Sequence, residues 1–85
     1  MKYFLYILKS LKDGSFYVGT TGDLGSRIER HNAGRSAYTK SRRPWELIYS
    51  EAHADRASAL KREREIKLRK SKDYIASLVR TSRQL

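Results

Sequence analysis

Five side chains in this sequence have the chemistry needed to cleave a phosphodiester bond. They are two tyrosines, an arginine, a histidine and a glutamate: Tyr6, Tyr17, Arg27, His31 and Glu63. An arginine can neutralise the charge that builds up on a phosphate, a carboxylate can hold one divalent ion, and a phenol or imidazole can take a proton from water. The set predicts phosphodiester hydrolysis if the fold brings its members together.

Each of these residues also has an ordinary structural explanation. Tyrosines in strands are usually amphipathic packing residues. An arginine and a histidine four positions apart on a helix usually share a solvated face. A carboxylate that faces inward can be neutralised by a salt bridge to one of the many arginines. Only the convergence of all five residues favours a catalytic site, so the elements that carry them are decisive.

The two tyrosines fall on a predicted β-hairpin. Strand-forming runs at 3–8 and 16–19 flank Asp13 and Gly14, a pair that is a strong signal for a two-residue turn. Counting outward from that turn puts both tyrosines on one face with Gly19, offset from each other by four residues, or about 13 Å. The opposite face is the predicted core and carries the apolar residues Tyr3, Leu5, Ile7, Phe16 and Val18.

The arginine and the histidine fall on a predicted helix. Asp23 is a good N-cap, and the helix should continue to about Asn32. Arg27 and His31 are then neighbours, one turn apart. Residues 34–43 have no apolar periodicity and are predicted to form a mobile basic loop.

The glutamate falls on a second, longer helix. A third strand is predicted at 45–49, and the helix should run from the cap Asp55 to about Arg69. Glu63 lies within a broad inward arc of this helix, whereas Glu65 points to the opposite side. The apolar members of that arc are Ala57, Ala59, Leu60, Ile66 and Leu68.

A last helix is predicted at about 71–82, which gives the order β-β-α-β-α-α. This order favours an α+β fold in which a small three-stranded antiparallel sheet is flanked by helices. A chain of 85 residues supports one domain, 1–85, with the chemical residues in a core of about 3–70. His53 has no partner at a useful spacing and is predicted to be a surface or loop residue.

The charge balance indicates a polyanionic partner. The chain has 19 Lys+Arg against 9 Asp+Glu, a formal net charge of +10. The absence of cysteine excludes disulfide frameworks, thiol nucleophiles and cysteine-containing zinc or iron–sulfur sites. No apolar run approaches the roughly 18 residues of a membrane span. We therefore expect a soluble, cytoplasmic protein that does not bind membranes.

Basic residues cluster in the loop and on the long helix, where they could bind a phosphate backbone. The candidates are Arg35, Lys40, Arg42, Arg43, Lys61, Arg62, Arg64, Lys67, Arg69 and Lys70. Tyr38 could stack on an exposed base. Each of these side chains could equally be an ordinary solvated residue, and no identifiable element distinguishes DNA from RNA.

The ordered set of chemical residues resembles the GIY-YIG nuclease superfamily. Phe4-Leu5-Tyr6 and Tyr17-Val18-Gly19 are similar to the two halves of its signature. Arg27 follows at the spacing of the family's arginine, and His31 sits where many members have histidine or tyrosine. Glu63 resembles the family's metal-binding glutamate.

The chain is most similar to stand-alone bacterial members with a single URI domain. The resemblance implies that Glu63 and waters hold one Mg²⁺ or Mn²⁺ and that an activated water hydrolyses a DNA strand. Mg²⁺ suits such a site because it keeps several waters and needs few carboxylates. Related nuclease modules act in excision repair and in homing, so a role in DNA repair or recombination is implied. Related enzymes often carry a further domain for targeting, so the resemblance leaves two possibilities for this chain, a targeting protein partner or structure-selective binding.

Two alternatives stay open. Many nuclease members carry an asparagine after the glutamate, whereas this chain has no asparagine after Asn32. That difference favours a nucleic-acid-binding module with weakened catalysis. A basic adaptor for an acidic protein would explain the charge but would leave the five chemical residues as a coincidence. The spacing does not identify which tyrosine acts as the base, and it gives no oligomeric state.

Overall fold

The computed structural model describes residues 2–69 and 71–83, and within them it forms three strands, three α-helices and one short 3₁₀ turn. The elements in chain order are β1 Tyr3–Ser10, β2 Phe16–Thr21, α1 Leu24–Asn32, the 3₁₀ turn Lys40–Arg42, β3 Trp45–His53, α2 Arg56–Arg69 and α3 Lys72–Arg83. The strands form one antiparallel sheet in the order β2-β1-β3. The predicted α+β fold and its order of elements are confirmed.

Strand β1 lies in the centre of the sheet because its middle is apolar on both faces. Its four successive residues Leu5, Tyr6, Ile7 and Leu8 are all buried, a pattern typical of a strand that is covered on both sides. Leu5 and Ile7 pack with residues of α2 and α3, whereas Tyr6 and Leu8 pack with Trp45 and α1. The sheet therefore separates two small cores.

The hairpin between β1 and β2 has a longer loop than the sequence predicts. Ser10 N donates to Ser15 O at 2.8 Å, which leaves four residues, 11–14, in the loop. The hydroxyl oxygen of Ser10 accepts hydrogen bonds from the backbone N–H groups of Lys12 and Asp13, and this side chain stabilises the wider turn. The predicted two-residue turn was wrong.

The longer loop shifts the strand pairing by two residues. Tyr6 pairs with Gly19, and Leu8 pairs with Tyr17. An even shift leaves every side chain on its predicted face, because side chains alternate with a period of two. The offset between Tyr6 and Tyr17 is therefore two residues instead of four, and their ring centroids lie 6.2 Å apart.

The predicted helix caps are confirmed at α1 and α2. Asp23 accepts a hydrogen bond from Ser26 N at 3.1 Å, and Asp55 accepts one from Ser58 N at 2.8 Å. Each carboxylate satisfies a backbone N–H that the first turn of a helix leaves unpaired. No described helix is long and apolar enough to cross a membrane.

The inward stripe of α2 is narrower than the predicted arc. Ala59 and Ile66 are buried, and the half-buried Arg62 and Glu63 lie between them, so the stripe follows the i, i+3, i+4, i+7 spacing. Leu68 is 72% exposed, and its predicted place in the arc was wrong. Ala57 and Leu60 are exposed too, since they also fall outside the stripe.

Arg62 uses its inward position to tie α2 to its neighbours. Its Nε lies 3.1 Å from both carboxylate oxygens of Glu51 on β3, and its Nη1 donates to the hydroxyl of Tyr74 on α3 at 3.1 Å. His53 lies 3.0 Å from the same carboxylate. The prediction that His53 is a surface or loop residue without a partner was wrong, because β3 extends four residues further than predicted and carries it.

Residues 66 and 68 give a direct test of this packing. We expect Ile66→Ala to lower the free energy of unfolding by about 2–4 kcal/mol, because it leaves a cavity in the core under β1. Leu68→Ala, its matched control, should change the free energy by less than about 0.5 kcal/mol, since that side chain lies in water. Urea unfolding followed by far-ultraviolet circular dichroism measures both values, and equal losses would contradict the assigned stripe.

Candidate active site

The five chemical residues lie on β1, β2, α1 and α2, and Tyr17 is the one of them that lines a groove at the free edge of β2. A groove of about 550 Å³ runs along this edge and is lined by Phe16, Tyr17, Val18, Tyr38 and Lys67. Because neighbouring residues of a strand face opposite sides, Tyr17 belongs to the α1 side of the sheet, and Phe16 and Val18 to the α2 side. The groove is thus open to residues from both layers of helices.

Tyr6 lies behind this groove and is only 1% exposed. Its ring packs against the backbone of Gly19, its cross-strand partner. A Cβ atom at residue 19 would lie 2.7 Å from the hydroxyl oxygen of Tyr6 and 3.1 Å from the ring of Tyr17. Only glycine leaves room for both phenols, which is the physical reason for a glycine at this point of the strand.

The phenol of Tyr6 begins a chain of buried hydrogen bonds. Its oxygen lies 3.0 Å from Nε2 of His31, and Nδ1 of His31 lies 2.8 Å from the hydroxyl oxygen of Thr39. His31 is 2% exposed and Thr39 is 1% exposed. The backbone carbonyl of Thr39 in turn accepts a hydrogen bond from the indole N–H of Trp45 at 3.0 Å. The imidazole is held at both of its nitrogen atoms.

Burial and nearby charges perturb both ends of the Tyr6–His31 bond. Burial lowers the pKa of His31, and the guanidinium groups of Arg27 and Arg30 lower it further, so the imidazole is neutral at neutral pH. Burial also raises the pKa of Tyr6 strongly, and negative charge on Tyr17 raises it further. Arg27 opposes this rise and Glu63 adds to it, so both charges act on this phenol.

Tyr17 lies at the centre of an aromatic cluster on the α1 side. Its ring centroid is 4.9 Å from that of His31, 6.1 Å from Tyr38 and 6.3 Å from Trp45. Tyr38 is 77% exposed and extends the cluster toward solvent. Of the two phenols in the signature, Tyr17 is the one that lines the groove, and Tyr6 lies behind it.

Glu63 lies on α2, and its carboxylate accepts a hydrogen bond at 3.0 Å from Nζ of Lys67, a residue that lines the groove. The described residues include no group of three or more histidine, cysteine or acidic side chains that could hold a metal ion. A single carboxylate is nevertheless compatible with Mg²⁺, which binds proteins through one or two carboxylates and keeps most of its waters. The donor set fits a hydrated hard cation and does not fit a zinc site.

Most of the candidate phosphate ligands are exposed. They are Arg35, Lys40, Arg42, Arg43, Lys61, Arg64, Lys67 and Arg69. Arg62 differs from them, because its guanidinium is half-buried and bonded to Glu51 and Tyr74. Lys70 lies outside the described residues.

The loop at 34–43 contributes residues that the sequence pattern did not single out. Thr39 is a lone buried threonine in a basic, aperiodic segment, and no spacing signal marks it.

Lys12 joins Lys40 and Arg43 around a second cleft of about 440 Å³, and its Nζ donates to the carbonyl of Ser41 at 3.1 Å. A basic residue in a hairpin turn gives no sign in sequence that it will meet a distant loop.

Comparisons with known proteins agree with this architecture. Residues 2–75 match the model of the GIY-YIG catalytic domain. A UPF0213 protein of Staphylococcus epidermidis is 51% identical over 67 residues, which cover 78% of this chain and 80% of that protein. A UPF0213 protein of Staphylococcus aureus is 50% identical over 66 residues, covering 76% and 79% of the two chains.

A solved structure shows the same fold. The solution NMR structure of a UPF0213 protein from Bacillus halodurans is 37% identical to this chain, with a TM-score of 0.56. The match covers 92% of this chain and 85% of the Bacillus halodurans chain. The family model, the relatives and the geometry around Tyr6, Tyr17 and Gly19 agree: the chain belongs to the GIY-YIG nuclease family and is similar to its stand-alone UPF0213 members.

Proposed function

We propose that this protein is a metal-dependent endonuclease that hydrolyses phosphodiester bonds of DNA in the groove along β2. The observation that carries the proposal is the surrounding of Tyr6: a buried phenol bonded to a neutral imidazole, beside Tyr17 and within the fields of Arg27 and Glu63. A structural tyrosine needs none of these charged neighbours. Hydrolysis of a phosphate diester uses all of them.

Tyr17 is the phenol placed to meet the attacking water, since it lines the groove. In the proposed reaction the Tyr17 oxygen, which has first released its own proton to solvent, takes one proton of that water, the hydroxide oxygen bonds to phosphorus, and the bond to the 3′-oxygen breaks. The leaving oxygen then takes a proton from solvent. Tyr6 supports Tyr17 from behind, and its hydrogen bond with His31 holds the pair in place.

Arg27 stabilises the negative charge that grows on the phosphate during this reaction. It is half-buried on α1, and its charge reaches the phenol of Tyr6. Glu63 is the residue that would hold Mg²⁺ or Mn²⁺, as divalent metals generally serve in GIY-YIG nucleases. Such an ion supplies Lewis-acid stabilisation of phosphate oxygens when it is bound. Releasing Glu63 from Lys67 costs little, because partly exposed ion pairs are worth less than about 1 kcal/mol.

The exposed basic residues bind the DNA strand on both sides of the reacting phosphate. One group follows the hairpin and the loop, and the other follows α2: Lys12, Arg35, Lys40, Arg42 and Arg43, then Lys61, Arg64, Lys67 and Arg69. These contacts are made to phosphates, so they predict binding that weakens steeply with salt and reads little sequence. Tyr38, which is exposed beside the groove, stacks on a base.

A nucleic-acid-binding module with weak catalysis is the second candidate. The observation that favours it is the small acidic set: Glu63 is the only acidic member of the five chemical residues, and it already has Lys67 as its partner. The two candidates share the same binding surface and differ only in turnover.

We expect the purified protein to cut DNA in Mg²⁺ or Mn²⁺ and to be inactive in chelator. Supercoiled, branched and single-stranded DNA serve as substrates. Glu63→Gln and Arg27→Met should each lower the cleavage rate at least about 100-fold, because each removes a charge that the proposed reaction requires. Glu65→Gln on α2 and Arg80→Met on α3 are the matched controls at exposed positions and should stay within about threefold of the parent protein.

Equal cleavage by the parent protein and Glu63→Gln would contradict the proposal. Salt-sensitive DNA binding without cleavage by any variant would favour the second candidate. Binding that is insensitive to salt would exclude both.

The neutral state of His31 predicts a pH dependence of stability. Unfolded His31 binds a proton near its ordinary pKa of 6.5, whereas the folded chain resists this protonation. The unfolded state therefore binds more protons, and the free energy of unfolding should fall as the pH drops from about 7.5 to about 5.5. Urea titrations should show that His31→Gln flattens this dependence and that the control His53→Gln keeps it. An unchanged slope in His31→Gln would contradict the assignment.

A further inference from the structure

Thr39 is one of the least exposed polar residues in the described part of the chain, and its hydroxyl meets only His31. Its oxygen lies 2.8 Å from Nδ1 of His31, and this is the one hydrogen bond of the hydroxyl among the described residues. At 1% exposure it has no access to solvent. The indole of Trp45 binds the backbone carbonyl of Thr39, so the hydroxyl is not needed to hold the loop.

A neutral imidazole carries its proton on one nitrogen, so two arrangements of the chain are conceivable. In the first, Tyr6 donates to Nε2, Nδ1–H donates to Thr39, and the hydroxyl hydrogen of Thr39 is buried without an acceptor. In the second, Thr39 donates to Nδ1 and Nε2–H donates to Tyr6. The second arrangement pairs the Thr39 hydrogen, which otherwise has no acceptor among the described residues, and unpaired buried donors are strongly disfavoured.

The second arrangement also gives the hydroxyl hydrogen of Tyr6 a place beside Tyr17. When Tyr6 accepts from His31, its own hydrogen is free to point toward Tyr17. The ring of Tyr17 lies beside that of Tyr6, with centroids 6.2 Å apart, and Tyr17 is among the groups that raise the pKa of Tyr6, the effect expected when Tyr6 keeps its proton. All hydrogens of the chain then point one way, from Thr39 toward the groove.

We propose that Thr39 is a positioning residue that fixes His31 in the Nε2–H tautomer, so that Thr39, His31 and Tyr6 donate in sequence toward the oxygen of Tyr17. The consequence for catalysis rests on the proposed endonuclease function. In the reaction the aligned donors stabilise the Tyr17 oxygen as the acceptor of the proton from water. His31 is then a donor to Tyr6 and not the final acceptor of that proton.

The groups that face His31 from the elements around it are Tyr6 on β1, Tyr17 on β2, Thr39 on the loop, and Arg27 and Arg30 on its own helix. Both arginines favour the neutral ring, but their charges do not determine which of its two nitrogens carries the proton. The tautomer is therefore set by the hydroxyls at its two ends. Tyr6 has the second phenol, Tyr17, beside it, with ring centroids 6.2 Å apart, whereas the Thr39 hydroxyl meets only His31 among the described residues.

The tautomer can be read without substrate from long-range ¹⁵N–¹H correlation spectra of protein labelled on histidine. His53→Gln removes the only other histidine and assigns the signals. We expect the proton of His31 on Nε2 in the parent protein and in Thr39→Ser, which keeps the hydroxyl. Thr39→Val has nearly the same shape without the donor and should show a mixture of both tautomers. A proton on Nδ1 in the parent protein, or one unchanged tautomer in Thr39→Val, would overturn the proposal.

Activity gives a second readout that keeps the two proposals apart. Thr39→Val should lower kcat at least about tenfold with KM unchanged, and Thr39→Ser should restore kcat to within about threefold. The fluorescence of the single tryptophan, Trp45, checks that the loop stays folded in each variant. If no variant cuts DNA but the spectra behave as expected, the endonuclease proposal fails and the role of Thr39 in fixing the tautomer stands. Full kcat in Thr39→Val would contradict the claim that the tautomer fixed by Thr39 contributes to catalysis.

Discussion

The contact between the ring of Tyr6 and the bare backbone of Gly19 is the constraint on which the candidate site depends. The ring lies where a Cβ atom at residue 19 would be 2.7 Å from its oxygen. This close approach lets Tyr6 stay in the sheet and still reach Nε2 of His31 on α1. It also keeps Tyr17 within 6.2 Å on the same strand face. Without the space above residue 19, the two phenols and the imidazole could not form one cluster.

Helix α2, on the other face of the sheet, positions Glu63 by ion pairing and core packing. Arg62 and Glu63 are neighbours on the inward stripe of α2, but their side chains bond to different groups. Arg62 is bonded to Glu51 on β3 and Tyr74 on α3, which opposes rotation of the helix about its axis. Burial of Ala59 and Ile66 under β1 acts in the same direction. Glu63 is thereby directed to the edge of β2, where the charge on its carboxylate reaches Tyr6.

Sequence patterns predicted what depends on periodicity and missed what depends on single side chains. The tyrosine face was predicted correctly even though the register was not, because a shift of two residues preserves the alternation of a strand. The hydroxyl of Ser10 widened the turn, and no propensity rule anticipates that one side chain. Leu68 looked like a core residue by its type, yet the stripe through Ala59 and Ile66 excludes it. Thr39 gave no signal, since its burial follows from contacts with His31 on α1 and Trp45 on β3, and no periodicity in an irregular loop predicts such contacts.

The substitution Gly19→Ala tests most directly whether the site depends on this close approach. The added methyl group must displace the phenol of Tyr6, which is too buried to move without breaking its bond to His31. The matched control is Gly22→Ala, where a Cβ atom would meet Tyr3 at 3.4 Å, an ordinary contact. We expect Gly19→Ala to lower the metal-dependent DNA cleavage rate about 100-fold while the far-ultraviolet spectrum stays native, and Gly22→Ala to cut normally. Cleavage at the parent rate by folded Gly19→Ala would show that the position of Tyr6 does not control the site.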